Sequence, residues 1–236
     1  DRTRQSETRF VETDALLTEL RGVLELVVSG DLFELQRFSE TPPSMRRLND
    51  IAFSGDGEPT TFRNFDEIIQ ACAEVRQDVG ATESKMVLIT NASMFHRPHV
   101  QNGLEILDRN CGEIWAKLDA GTEEYFQIID RTKFTLKHVM GNLVLAAKLR
   151  PIVIQSLWMR VDDEPPTIDE LEAYSDRLNE IVSAGGEIKL VQIYTVARQP
   201  AESYVSPLTN DEVDFWVNEV RRRTRLNVAG FYGVST

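Results

Sequence analysis

The sequence has few cysteines: Cys72 and Cys111 are the only two among 236 residues. Two thiols so far apart exclude a disulfide framework or a local cysteine-based metal motif, and they favour a reducing, cytoplasmic compartment. The sequence also lacks an apolar run of about 18 residues and a signal-peptide core, so it predicts neither a membrane span nor a membrane partner. Cys72 falls on the apolar face of a predicted helix, where we expect a small buried side chain.

Positive charge is also scarce, since 26 Lys and Arg residues face 38 Asp and Glu residues, for a net charge of -12. Uncompensated carboxylates repel phosphates, which argues against a broad nucleic-acid surface. The one basic run comprises Arg221, Arg222, Arg223 and Arg225. We interpret it as the last turn of a helix, where cations complement the helix dipole.

Apolar segments of strand length alternate with amphipathic segments of helical period. The predicted strands are 51–54, 86–90, 114–119, 152–158 and 188–195; the predicted helices are 14–28, one opened by Asn64, 98–107, 122–130, 135–149, 167–182 and one opened by Thr209. Capping boxes are expected at Thr167 with Glu170 and at Thr209 with Glu212. The alternation predicts an α/β fold, a parallel sheet covered by helices, as an open doubly wound sheet or a barrel. No linker interrupts it, so residues 1–236 are expected to form a single domain.

The first predicted element is a helix, although the repeat otherwise runs from strand to helix. The chain also begins with Asp1 rather than Met. We therefore expect an opening strand and its loop upstream of Asp1.

Polar residues collect at the carboxyl ends of the predicted strands, the edge where function concentrates in parallel α/β folds. Polar groups within strands this apolar are costly unless they are hydrogen-bonded, so several should face a ligand cavity. The set comprises the segment Gly55–Pro59, then Thr90, Asn91, Lys117, Asp119, Gln155, Ser156, Gln192, Tyr194 and Thr195.

The segment "FSGDGEPTT" places a carboxylate inside a glycine-rich turn. Gly55 and Gly57 permit a positive φ or a close approach of the backbone to a ligand, and Pro59 stiffens the exit. Glu58 is thereby expected to be a fixed carboxylate, suited to an ammonium group or a metal ion.

The motifs "FSGDGEPTT", "LITNAS" and "IWAKLDAGTEEYF" resemble the radical S-adenosylmethionine superfamily, in particular its small single-domain iron–sulfur oxidoreductases, which are similar to wyosine-type synthases and activating enzymes. The resemblance extends over roughly residues 1 to 200. It implies a partial (βα)6 TIM-like barrel with parallel strands and outer helices, from which the first strand is missing.

The resemblance also implies roles for the residues that match its motifs. Glu58, in the turn with Gly55, Gly57 and Pro59, would accept hydrogen bonds from the amino group of S-adenosylmethionine, and Asn91 would line the same cavity. Lys117 and Asp119 would contact the methionine carboxylate or the ribose, and Gln155 or Ser156 would contact the ribose.

The chain departs from the family in lacking the three cysteines, spaced Cys-x3-Cys-x2-Cys, that hold a [4Fe–4S] cluster. The sequence as given would be inactive, and we expect the cluster segment upstream. The resemblance then implies reductive cleavage of S-adenosylmethionine, driven by an external one-electron reductant. The resulting 5'-deoxyadenosyl radical would abstract hydrogen from an unknown substrate, a small molecule or a protein in preference to a nucleic acid. The alternative is an inert barrel that binds S-adenosylmethionine or another nucleoside without a cluster.

Three further interpretations come from the residues alone. Glu58 with Asp119 could be the acid and base of a metal-independent hydrolase. His96 and His99 have the spacing of a metal pair, although no acidic residue or cysteine follows closely. The carboxylate-rich segment Asp162–Pro165 is interpreted as a solvated loop.

Overall fold

The computed structural model describes residues 12–55 and 57–233. Its helices are α1 (Thr13–Ser29), α2 (Phe65–Asp78), α3 (Pro98–Arg109), α4 (Glu123–Asp130), α5 (Leu136–Leu149), α6 (Ile168–Ser183) and α7 (Asn210–Thr224). Its strands are β1 (Asp50–Phe53), β2 (Lys85–Thr90), β3 (Gly112–Lys117), β4 (Ile152–Leu157), β5 (Met159–Val161), β6 (Ile188–Tyr194), β7 (Val205–Pro207) and β8 (Val228–Phe231). Elements predicted from periodicity are therefore present with ends shifted by one or two residues.

Six of the strands form one sheet in the order β1-β2-β3-β4-β6-β8. The pairs β1–β2, β3–β4, β4–β6 and β6–β8 are all parallel, and helices connect them. The predicted α/β class with parallel strands and outer helices is confirmed. The last strand of the sheet, β8, pairs with β6 and ends at Phe231.

The described residues fall into two compact units by their contacts, one comprising residues up to Thr90 with His96–Ile114, the other Asn91–Phe95 with Trp115 onward. In the first unit, Leu24 of α1 packs with Val75 and Ala81. Helix α1 ends at its C-cap Gly30, which adopts the left-handed φ of 89°.

The core of the second unit is built around an aromatic group. Trp158 is fully buried and stacks on Trp216 with ring centroids 4.1 Å apart, while Tyr174 meets the Trp158 ring edge-on at 5.0 Å. Stacked and edge-on aromatic pairs stabilise a core beyond the effect of their buried apolar area. Through Trp158, which lies between β4 and β5, this group packs α6 and α7 against the end of β4.

Three local expectations are corrected. The apolar segment 51–54 is of the kind expected to form a buried strand, but no residue of β1 is buried, because β1 is at the edge of the sheet and has only one neighbouring strand. Asn64 precedes α2 without a side-chain capping bond. The Thr167 hydroxyl does accept from the Glu170 N–H, but the Glu170 carboxylate accepts from the Gly121 N–H and the Thr122 hydroxyl instead of closing a capping box.

Other expectations hold. The capping box of Thr209 and Glu212 is complete. Cys72 is buried, and burial raises its pKa to about 11. The basic run ends α7, where Arg222 pairs with Glu219 and Arg223 pairs with Glu172. Among the residues described, no helix combines the length and apolarity needed to cross a membrane.

Candidate functional site

Three predicted polar residues form a row across neighbouring strands of the second unit. Lys117 of β3 is in register with Gln155 of β4, and Gln155 is in register with Gln192 of β6. Because side chains alternate between the two faces of a sheet, residues in register share a face. The row therefore presents one ammonium group and two carboxamides on the same face, near the carboxyl ends of the strands.

Lys117 is joined to Asp119 in an ion pair, with Nζ 3.0 Å from Oδ2. The carboxylate is 2% exposed, and its other oxygen accepts a hydrogen bond from the Leu157 N–H at 2.7 Å. The charge of Asp119 raises the pKa of Lys117 well above its ordinary value, although burial opposes this. Lys117 therefore remains a cation, held in place by a carboxylate that is itself fixed to β4.

The two glutamines of the row bind each other. Nε2 of Gln155 donates to Oε1 of Gln192 at 2.8 Å. This bond orients both side chains, and the carboxamide groups that it does not use are Oε1 of Gln155 and Nε2 of Gln192.

Ser156 occupies a different environment from Gln155. It is fully buried, and its hydroxyl lies 2.5 Å from the Tyr174 hydroxyl of α6. As the next residue along β4, it faces the helix side of the sheet. Of the two candidates for a ribose contact, the structure thus places only Gln155 in the polar row.

Two further titratable groups, Tyr194 and Asp130, interact with the ion pair of Lys117 and Asp119. Burial, reinforced by Asp119, raises the pKa of Tyr194 to about 12, while Lys117 opposes the rise. Asp130, the last residue of α4, has its pKa raised to about 7 by burial and by Asp119, with Lys117 again opposing. Sequence reasoning named Tyr194 at the end of its strand but missed Asp130, because a carboxylate at the end of an amphipathic helix looks like solvated surface.

A cavity of about 510 Å³ opens beside the carboxyl ends of β4 and β6. Leu157, Tyr194 and Thr195 line it from the strands, and residues of the α4 end and of the segment 196–205 complete its wall. Of the predicted polar residues at the strand ends, Tyr194 and Thr195 line this open cavity, whereas Lys117, Gln155 and Gln192 do not.

The glycine-rich turn belongs to the first unit, and its carboxylate is fixed as predicted. Oε1 of Glu58 accepts hydrogen bonds from the Thr60 N–H at 3.1 Å, the Thr60 hydroxyl at 2.5 Å and the Thr90 hydroxyl at 2.7 Å. Pro59 opens a short 3₁₀ turn after it. The sequence did not indicate that two threonines hold this side chain.

The glycines flank this turn. Gly55 adopts φ 152°, in the range that favours glycine, and both Gly55 and Gly57 have open space where a Cβ would stand. Asp56 between them lies outside the described residues.

Asn91 begins the second unit immediately after β2. Its side-chain oxygen accepts from the Ser93 N–H at 3.0 Å, and Ala92 between them adopts φ 57°. Nε2 of His138 meets the Ser93 carbonyl, and the Asn142 amide donates to the Ala92 carbonyl, so α5 supports this turn.

The remaining candidates form no site. Among the described residues, His96 and His99 included, no group of three or more His, Cys, Asp or Glu side chains is arranged to hold a metal ion. Asp162 and Asp163 are exposed and adopt φ 52° and 65° in a turn after β5, in keeping with a solvated loop.

Comparison with solved structures shows similarity to two structures of TYW1, one archaeal and one with a lysine–pyruvate adduct bound. Each has a TM-score of 0.58, sequence identities are 13% and 12%, and each match covers 94% of this chain and 67% of the other. A radical SAM methyltransferase from Sphaerobacter thermophilus has a TM-score of 0.56 at 13% identity, covering 80% of this chain and 52% of that one. The fold is that of these enzymes. At such identities the similarity concerns the fold alone.

No protein-family model matches the sequence. Among curated proteins, GTPase Obg of Brachyspira hyodysenteriae is 22% identical over 173 residues, which are 72% of this chain and 23% of that protein. This chain therefore spans about a quarter of the curated relative that it matches.

Proposed function

We propose that this chain is the S-adenosylmethionine-binding barrel of a radical SAM enzyme. The observation that carries the proposal is the row of Lys117, Gln155 and Gln192 at the carboxyl ends of parallel strands, in a fold shared with a radical SAM methyltransferase. A cation for the methionine carboxylate and carboxamides for the ribose hydroxyls are groups that this cofactor requires.

Each residue has a defined part in this proposal. The ammonium of Lys117, kept charged by Asp119, would bind the carboxylate of the cofactor. Gln155, oriented by Gln192, would bind the ribose. The roles of Glu58, toward the amino group of the cofactor, and of Asn91, as part of the cavity wall, remain predictions from the sequence resemblance.

A [4Fe–4S] cluster does not fit the residues of this chain. Such clusters are held by cysteine thiolates, whereas the sequence has two cysteines and the described residues hold no metal-binding group. We therefore assign no electron-transfer step to these residues. The finer proposal, reductive cleavage of S-adenosylmethionine and hydrogen abstraction from a small-molecule or protein substrate, requires cluster ligands and a one-electron reductant from outside them.

The second candidate is a barrel that binds S-adenosylmethionine or another nucleoside without redox chemistry, a role that the row of Lys117, Gln155 and Gln192 would serve equally well. A GTPase activity has no such support, because the sequence contains no Gly-Lys pair and hence no P-loop motif.

Calorimetric titration of the 236-residue chain with S-adenosylmethionine tests the binding proposal. We expect saturable binding that the Gln155→Leu variant weakens about tenfold, and an unchanged affinity for Lys85→Met, which removes a surface ion pair with Glu113. Absence of binding to the wild-type chain would overturn the proposal.

A second experiment distinguishes the two candidate functions. The protein isolated from its native source is assayed under anaerobic conditions for bound iron and for formation of 5'-deoxyadenosine. We expect both for the radical enzyme and neither for the inert barrel.

A further inference from the structure

The cavity beside β4 and β6 lies next to the polar row. Leu157 and Tyr194, which line it, are in register with each other and come two residues after Gln155 and Gln192 on the same strands. Side chains two residues apart on a strand share a face of the sheet and stand about 7 Å apart. A molecule in the cavity would therefore lie beside a molecule that is bound by the row.

The walls of this cavity are mainly apolar. Ile128 and Ile129 contribute from α4, Met159 and Val161 from β5, and Val196 from the segment that joins β6 to β7. The volume of about 510 Å³ is in the range of small-molecule sites. An occupant would therefore have an apolar body.

The segment that joins β6 to β7 is fixed beside the cavity. Arg131, at the end of α4, places Nη2 2.7 Å from Oε1 of Glu202, and its Nη1 donates to the Tyr204 hydroxyl at 3.2 Å. All three residues line the cavity, and β7 is itself paired with β5. The charges of Arg131 and Glu202 are thus used on each other, and the segment is held at both ends.

Arg198 lies in the same segment and also lines the cavity, but its charge is not used in this way. It makes no hydrogen bond or ion pair with any residue that the structure describes. The charged residues of the lining are Arg131, Arg198 and Glu202, so one positive charge is left over, although the whole chain carries a net charge of -12. The cavity therefore combines apolar walls with one guanidinium group that lacks a counter-ion.

A guanidinium group matches a carboxylate, to which it donates two parallel hydrogen bonds, and it repels a cationic ligand. We propose that this cavity binds an organic carboxylate with an apolar body, and that Arg198 forms the ion pair with its carboxylate group. That this carboxylate is the substrate rests on the proposed function; its binding does not.

The probe is 3-phenylpropionate, with 3-phenylpropan-1-ol as a neutral control of similar shape, and the readout is calorimetric titration. We expect the acid to bind about tenfold more tightly than the alcohol. Arg198→Gln should weaken binding of the acid about tenfold and leave that of the alcohol unchanged, because only the acid loses a charged partner. Arg63→Gln, which removes an exposed arginine of the first unit, is the matched control and should change neither affinity.

A further variant tests where the probe binds. Ala201 is exposed and lines the cavity, so Ala201→Trp should occupy part of the space without disturbing the core and should weaken the binding of both probes. Absence of acid binding, equal affinities for the acid and the alcohol, an unchanged acid affinity in Arg198→Gln, or unchanged affinities in Ala201→Trp would each overturn the proposal.

Titration of the acid in the presence of saturating S-adenosylmethionine separates this proposal from the proposed function. We expect both compounds to bind at the same time. Competition between them would overturn the assignment of the cavity to a second ligand. If S-adenosylmethionine alone does not bind, the proposed function fails, whereas the results with the acid and its control stand.

Discussion

The hydroxyl groups of Ser156 and Tyr174 lie 2.5 Å apart, buried between β4 and α6. Because neither has access to water, removal of one partner leaves the other unsatisfied. We expect Ser156→Ala to lower the free energy of unfolding by about 1–3 kcal/mol, as measured by urea denaturation, with no change in S-adenosylmethionine affinity. In the double variant Ser156→Ala/Tyr174→Phe, part of this loss should be recovered; strictly additive losses would contradict the interpretation, as would weakened cofactor binding.

The pair of Lys117 and Asp119 gives a second prediction. Lys117→Met leaves a carboxylate that is 2% exposed without its cation. We expect a loss of up to about 3 kcal/mol in the free energy of unfolding, since Lys117 itself is partly exposed. The double variant Lys117→Met/Asp119→Leu should be closer to wild type than the single variant in urea titrations. If the single variant is as stable as wild type, the pair does not have the role that we assign to it.

Asp130 predicts how stability depends on pH. Its pKa is raised in the folded chain to about 7, so the folded state retains a proton that the unfolded state has already lost between about pH 4 and 7. The free energy of unfolding should therefore fall as pH rises through this window, by at most about 1.4 kcal/mol per unit from this group, and level off above it. Subtraction of the Asp130→Asn profile isolates the contribution. Identical profiles for the two proteins would rule it out.

Two glycines form a matched pair for the next prediction. A Cβ at Gly121 would clash with the backbone of Ala173 and Tyr174, whereas nothing lies within 4 Å of one at Gly141 in α5. Gly121→Ala should thus destabilise the protein severely, and Gly141→Ala should stabilise it by about 0.5–1 kcal/mol. Thermal unfolding of both variants tests this prediction. A Gly121→Ala variant as stable as wild type would show that the first half of α6 can shift to make room for the added methyl group.

Glu58 provides a prediction on binding. Glu58→Gln keeps an oxygen for the Thr60 and Thr90 donors but removes the negative charge. We expect about tenfold weaker binding of S-adenosylmethionine, because its ammonium group loses a charged partner. Glu67→Gln, on the exposed first turn of α2, is the matched control. Equal calorimetric affinities for both variants would exclude a role for Glu58 in binding.

Most helices and strands of the large sheet could be predicted because alternation between buried apolar runs and amphipathic segments is a strong signal. Lys117, Asp119 and Gln155 followed from their positions at strand ends. The sequence could not separate Gln155 from Ser156, since a parallel sheet buried on both faces is apolar on both, and only the contact with Tyr174 assigns the face. Strands β5 and β7, three residues each, are too short to show a period.

Gln155 and Gln192, hydrogen-bonded in the polar row, are 37 residues apart in sequence, with α6 between them. Contacts of such separation form only after a long loop has closed, which is an entropic cost and a slow event in folding. The polar row can therefore exist only once the second unit has assembled its central strands. During refolding, these side chains should therefore become able to bind a ligand only after the helical structure of α6 has formed.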